Sequence, residues 1–264
     1  MRKILLVLSL CVPVLQSCSI KEDRHACPCL LRLDFSSAPE SARAGRMLLS
    51  VASDDGFSLT DTLDMTEVGD IHEVRVPRTG VRVNLWSDDA AGFIGEDGLV
   101  IPLGDDCPPV RMFSSFVATD CETCTEAVSL HKNYCILTVI TDDDVAGDYP
   151  FDLGVYGNID GYDAGGSPRN GEFCHYLVGR PDGSGGVSRV ISLPRQTDSS
   201  LQLDVSENAG VLKTFALGNY IRQSGYDWTE PDLKDMVVRI DYASTRIVIS
   251  VGAWEYSYDV DIEF

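Results

Sequence analysis

The chain has 264 residues, with 21 basic and 41 acidic side chains and a formal net charge of -20. So acidic a balance excludes nucleic acid as a partner, because phosphate binding needs clustered Lys and Arg to displace counterions, and it equally excludes a polybasic grip on anionic lipid. The acidity keeps an exposed protein soluble, and the length suffices for one large all-β domain or two of ordinary size.

Arg2 and Lys3 precede an apolar run over residues 4–15, ILLVLSLCVPVL. The run has the length of a secretory h-region and falls short of the roughly 20 apolar residues that span a bilayer. It ends in Leu15-Gln16-Ser17-Cys18, which resembles the bacterial lipobox: an aliphatic residue three positions before a cysteine and a small one just before it. The resemblance implies removal of residues 1–17 as a signal peptide and acylation of Cys18, as by palmitate, on its thiol and new amino group. Two or more chains anchor stably where one alone does not, since each buried CH₂ contributes about 0.8 kcal/mol. Ser19-Ile20 is followed by Lys21, Glu22 and Asp23, which resemble the signal that sends Bacteroides-type lipoproteins to the outer leaflet of the outer membrane. Such a signal is an address read by a receptor and adds nothing to the anchor. Losing the leader removes two basic residues and no acidic one, leaving 19 against 41. No later apolar segment approaches spanning length, so the body is expected outside the membrane with the lipid as its contact.

Of nine cysteines, Cys11 leaves with the leader and Cys18 carries lipid; Cys27, Cys29, Cys107, Cys121, Cys124, Cys135 and Cys174 remain. An exported chain can form disulfides, but an odd number leaves at least one thiol free or paired between chains. Cys27-Pro28-Cys29 cannot easily bridge to itself, because alternate strand residues share a face yet sit too far apart. The "CETC" at 121–124 has the spacing of a zinc or redox knuckle. A zinc site would want a second knuckle or a paired His motif, a redox motif a βαβ context, and neither is visible. The expectation is no metal and no cofactor beyond the covalent lipid on Cys18.

Beyond the tether the period is two, the strand period. The alternating stretches are 29–35 (CLLRLDF), 72–77 (HEVRVP), 81–86 (VRVNLW), 134–140 (YCILTVI), 152–159 (DLGVYGNI), 201–205 (LQLDV), 236–242 (MVVRIDY), 245–251 (TRIVISV) and 254–264 (WEYSYDVDIEF). Turn clusters rich in Gly, Pro, Asn and Asp separate them, such as PRTG, DGYDAGGSPRNG and RPDGSGG. Many short strands at near-regular spacing mean sandwiches or barrels. Short helices are expected near 207–223 and around 228–236. The segment from Cys107 to Ser129 breaks the alternation, which places a domain boundary near 120–130. The expected organisation is a signal peptide (1–17), a lipidated tether (18–26), an N-terminal β-sandwich (27–125) and a C-terminal β-sandwich (126–264).

The chemistry-bearing motifs are few. None of the four histidines, His25, His72, His131 and His175, lies in an H-E-x-x-H pattern, and neither a G-x-S-x-G elbow nor a Walker loop occurs. No catalytic residue is assigned, and the chain is read as a non-enzyme. The acid clusters TDDDVAGD (141–148) and DGYDAGG (160–166) could offer oxygens to calcium but do not fit a ligand-numbered loop. Tyr220, Tyr226 and Trp228 could stack on a sugar ring, although aromatics at strand ends more often pack into the core with a satisfied polar tip.

Several stretches together resemble one family: CSIKEDRHACPCLLRLDF at the start, LHKNYC (130–135), LPRQ (193–196), LGNYIRQSGYDW (217–228), DLKDMVVRIDY (232–242) and a final strand bearing a Trp. They are similar to the FimB-like fimbrial anchor lipoproteins, minor fimbrial subunits of Bacteroides-type bacteria. The resemblance implies an all-β protein of two transthyretin-like β-sandwich domains in tandem behind a lipoprotein signal peptide. It implies a surface-exposed, lipid-anchored protein at the base of a fimbria, holding the pilus to the outer membrane and limiting its assembly. The implied partners are a fimbrial stalk subunit, met by β-strand docking, and the outer membrane; residues 36–70 carry no likeness.

Strand addition takes affinity from main-chain hydrogen bonds and selectivity from alternate side chains. The last residues suit it: Trp254, Tyr256, Tyr258, Val260, Ile262 and Phe264 alternate with acids and Ser257 to the end. The same stretch could be the last strand of the second sandwich, with its acids facing water. A chain lipidated at Cys18 keeps its first strand, Leu30 to Phe35, and must meet a neighbour through another edge, such as the C-terminal one. Rival readings are a surface lipoprotein that binds glycan or a host ligand, a hydrolase with a spatially assembled site, and a stalk or tip subunit matured by cleavage at Arg43 or Arg46, residues more simply placed in a loop.

Overall fold

A computed structural model describes residues 27–39, 45–95, 97–142, 152–178, 180–181, 187–207, 210–241, 246–251 and 254–259. Its first strands are β1 (Cys29–Asp34), β2 (Arg46–Ala52), β3 (Ser58–Asp64), β4 (Ile71–Val76) and β5 (Val81–Ser87). A 3-10 turn over Asp88–Phe93 leads to β6 (Ile94–Gly95) and β7 (Gly98–Val100), then β8 (Arg111–Val117), β9 (Thr123–Ala127) and β10 (His131–Lys132). There follow β11 (Tyr134–Asp142), β12 (Asp152–Asp163), β13 (Pro168–Leu177), β14 (Arg180–Pro181), β15 (Val187–Pro194), β16 (Gln202–Glu207) and β17 (Gly210–Phe215). The helix α1 (Leu217–Gln223) precedes β18 (Met236–Asp241), β19 (Arg246–Val251) and β20 (Trp254–Asp259). The fold is all-β in character, built of sandwiched sheets.

In the first unit the sheet β4-β1-β9 packs on the sheet β10-β8-β5-β2-β3. Period-two alternation makes this possible: Cys29, Leu31 and Leu33 of β1 are fully buried while Leu30, Arg32 and Asp34 are not. They join Phe35, Leu49, Val83 and Leu85 in one core, each large apolar side chain contributing about 1.5–3 kcal/mol by leaving water. In the second unit the sheet β14-β15-β11-β18-β19-β20 faces β17-β16-β12-β7-β6, with β13 also paired to β12. Its core gathers Leu137, Val139, Val155, Ile191, Leu203 and Val238.

The two units interleave. The β6–β7 hairpin pairs with β12 through Leu99↔Tyr162 and Val100↔Gly161, and Trp86, Leu99, Ile101 and Met112 belong to the larger core. The contact demands glycine: Gly161 has φ +143°, and a Cβ there would meet the Leu99 carbonyl oxygen at 2.1 Å.

Two helix expectations are corrected. Only the second half of 207–223 is helical, because Gly210–Phe215 pairs with β16 and buries Phe215 opposite Leu203. Residues 228–236 form turns rather than a helix until β18 begins. Asp227 Oδ1 accepts from the Thr229 N–H and hydroxyl, and Arg195 takes the carbonyls of Trp228, Glu230 and Pro231 that a helix would need for itself. The segment 107–129, which lacks clear alternation, nevertheless holds β8 and β9. Phe116 of β8 is 61% exposed and Ser114 spends its hydroxyl on the Gly165 carbonyl, so tertiary partners replace the apolar signal.

Candidate functional site

The final strand is the candidate for strand docking, and Trp254, Tyr256 and Tyr258 all fall within β20. β20 pairs antiparallel with β19, with Trp254 opposite Val251, Tyr256 opposite Ile249 and Tyr258 opposite Ile247. It is thus integrated into its own sheet, and it ends that sheet: among the described residues no strand pairs with its outer side. An edge of this kind presents a row of free N–H and C=O groups, a template for another chain's strand. Val260, Ile262 and Phe264 lie outside the described residues, as do Cys18, Lys21, Glu22 and Asp23.

β1 is closed on both sides. It pairs antiparallel with β4 and parallel with β9, and it carries four fully buried side chains with its continuation at Phe35. Removing it would split a three-stranded sheet and expose the smaller core. Arg46, one of the cleavage candidates, begins β2 and donates to Asp88 at 2.6 Å; Arg43 lies outside the described residues.

Three of the stretches singled out in the sequence converge on Arg195, a convergence that sequence spacing did not reveal. Its Nε donates to Asn133 Oδ1 at 3.0 Å, and its Nη atoms donate to the carbonyls of Trp228, Glu230 (2.8 Å) and Pro231 (3.0 Å). Its own N–H donates at 2.8 Å to the hydroxyl of Tyr162, which in turn donates to the Asn133 carbonyl. Burial pushes the Tyr162 hydroxyl well above its ordinary pKa, so it stays a neutral donor. The node fixes the loop before β18 to Asn133, at the start of β11.

The aromatic cluster is largely structural. Tyr226 is 8% exposed, meets Trp228 edge-on at 4.7 Å and donates to the Lys234 carbonyl at 2.7 Å. Beside it runs an open groove of about 750 Å³ lined by Arg195, Asp198, Arg222, Asp227 and Trp228 among others. In the acid loop at 160–166, the carboxylate of Asp163 is occupied by the N–H groups of Gly165 and Ser167 at 2.8 and 2.9 Å, which is turn chemistry. The other acid cluster lies mostly outside the described residues.

One alignment has the residue types of a hydrolytic triad. The Ser129 hydroxyl is 3.0 Å from His131 Nε2, and His131 Nδ1 is 3.5 Å from Asp232 Oδ2. The second distance is too long for a hydrogen bond, and Asp232 Oδ1 already accepts from the Lys132 N–H at 2.6 Å, with Arg111 3.7 Å away. Both His131 and Asp232 have exposed side chains. The geometry stitches β10 to the segment before β18.

The cysteines are the other feature that the sequence left open. Cys29, on β1, and Cys124, on β9, bring their Sγ atoms to 3.4 Å, and Cys121 Sγ joins them with all three within 4.8 Å. Burial, then contact with Cys29 and Cys121, pushes the Cys124 thiol up to about 12; burial also raises Cys29. Cys107 and Cys135 are buried in the larger core as free thiols.

No protein-family model matches the sequence, and no curated protein does. Solved structures do. The fimbrial anchor protein Mfa2 from Porphyromonas gingivalis superposes with a TM-score of 0.63 at 12% identity, over 88% of this chain and 100% of that one. A "putative adhesin" from Bacteroides ovatus gives 0.61 at 11% identity, over 89% and 97%. A protein from Bacteroides thetaiotaomicron described among "putative polysaccharide binding proteins" gives 0.60 at 12% identity, over 87% and 98%. The β-sandwich architecture reached from the strands upward is therefore similar, over 88% of the chain, to the fold of the fimbrial anchor protein Mfa2.

Proposed function

We propose that the chain is a non-enzymatic, lipid-anchored surface protein that holds a fimbria to the outer membrane and limits its assembly. Cys18 carries the acyl chains, Lys21, Glu22 and Asp23 route the protein outward, and the C-terminal edge receives a stalk subunit by strand pairing. The observation that carries this reading is β20: among the described residues no strand pairs with its outer side, whereas β1 is held between β4 and β9. A subunit that keeps its first strand has no groove to offer there, so a neighbour must meet it at another edge. The fold shared with a fimbrial anchor supports the same role. The test is Cys18→Ala in the full chain in its own cells. The expected result is fimbriae shed into the medium with the body still folded, while fimbriae that stay cell-bound would overturn the anchoring step.

A second reading, capture of glycan, is favoured by the groove beside Trp228. It predicts that the body binds polysaccharide with no pilin present and that Trp228→Ala abolishes this.

A further inference from the structure

The parallel pairing of β1 with β9 brings two cysteine pairs together from distant parts of the chain, Cys27-Pro28-Cys29 and Cys121-Glu122-Thr123-Cys124. We propose that Cys29, Cys121 and Cys124, with Cys27 as fourth ligand, form a structural zinc site that fastens the entry of β1 to β9. The absence of a second knuckle argued against zinc in the sequence. The fold supplies a third sulfur, that of Cys29 at the start of β1, with Cys27 two residues ahead of it.

The ligand geometry fits. A tetrahedral site with Zn–S bonds of about 2.3 Å holds its sulfurs about 3.8 Å apart, and the three Sγ atoms stand within 4.8 Å of one another with one pair at 3.4 Å. Cys29 is fully buried and the other two are half-buried against the smaller core, while Cys27 is exposed and free to close over the top. Cys27 sits at a bend two residues before β1 begins, exposed, and is the nearest further thiol along the chain to complete the set. Thiolates alone are soft ligands, the set that selects zinc over calcium or magnesium.

The ladder opposes a simple disulfide between the closest pair. Cys124 stands opposite Leu31, so Cys29 is displaced from it by two residues along the strand. Strand spacing and rise then set their Cα atoms about 8 Å apart, beyond the roughly 4.4–6.8 Å that a disulfide spans without backbone movement. A metal bridges that diagonal because it inserts two bonds instead of one.

The site does not depend on the anchoring reading, although it lies where the tether of residues 18–26 would join the body. The test is metal content and thiol state of the full chain purified without chelator, read by elemental analysis and by intact mass after alkylation under non-reducing conditions. The expected result is about one zinc per chain, with Cys27, Cys29, Cys121 and Cys124 alkylated only after chelation. Cobalt(II) added to the stripped protein should give the strong visible absorption of a tetrahedral thiolate site. Cys121→Ser, at the rim of the cluster, should lower zinc retention at least tenfold with the unfolding profile checked alongside, and Cys174→Ser should retain it. A disulfide joining any two of the four cysteines in freshly isolated protein would overturn the proposal, as would reduced, folded chain that takes up neither zinc nor cobalt.

Discussion

Arg195 donates through Nε to the side-chain oxygen of Asn133 at 3.0 Å, across 62 residues of sequence. That bond opens a set in which one guanidinium serves four acceptors, three of them main-chain carbonyls in the loop from Trp228 to Pro231. Arg195→Ala leaves those carbonyls without partners and should cost about 2–4 kcal/mol in urea unfolding. Arg195→Lys should recover only a minor part, because a single ammonium cannot match the planar fork. A loss below about 0.5 kcal/mol would show that the node is ornamental.

The first strand should tolerate little. Leu31 is fully buried between the sheets of the first unit, so Leu31→Ala should lose about 2–5 kcal/mol through lost transfer energy and a residual cavity. The same replacement at Leu103, 60% exposed, should stay within about 0.5 kcal/mol.

Stability should fall in acid at the seam between β10 and the segment before β18. Burial on its own would raise the pKa of Asp232, but the Lys132 N–H, His131 and Arg111 together hold it below the ordinary carboxylate value. A carboxylate lowered in the folded state stabilises above its unfolded pKa of about 3.9 and loses that contribution as pH falls through the folded value. Asp232→Asn should therefore flatten the unfolding midpoint between about pH 5 and pH 3. A variant whose midpoint follows the parent over that window would contradict the assignment.

Docking should be separable from folding. Deleting residues 259–264 removes one terminal pair of the β19–β20 ladder, Asp259 with Arg246, and should leave the thermal midpoint within a few degrees. Stalk attachment should be lost. A folded, truncated anchor that still holds its stalk would move the docking surface to another edge.

How much of this the sequence disclosed depended on how completely one face of each strand is buried. β1, β4, β5, β11, β18 and β19 alternate cleanly and were legible. β3 was not, because all but one or two of its side chains stand in solvent, and β15 was obscured by Arg189, which points inward, 5% exposed, and donates to Thr141. β13 begins Pro-Arg-Asn-Gly, a turn composition, and becomes a strand because β12 offers it a long partner. The cysteine cluster and the Arg195 node depend on which strands become neighbours. The parallel register of β1 against β9 is a property of the whole topology, and no local spacing encodes it.

On this reading a lipid-anchored body holds a fimbria. Its most direct test is to recover the full-length protein from outer-membrane extracts, determine its intact mass and identify what accompanies it. The expected product is a chain beginning at an acylated Cys18, uncut at Arg43 and Arg46, with pilin subunits attached. A lipidated chain that comes down alone or with polysaccharide, or one cleaved after an arginine and free of lipid, would contradict it.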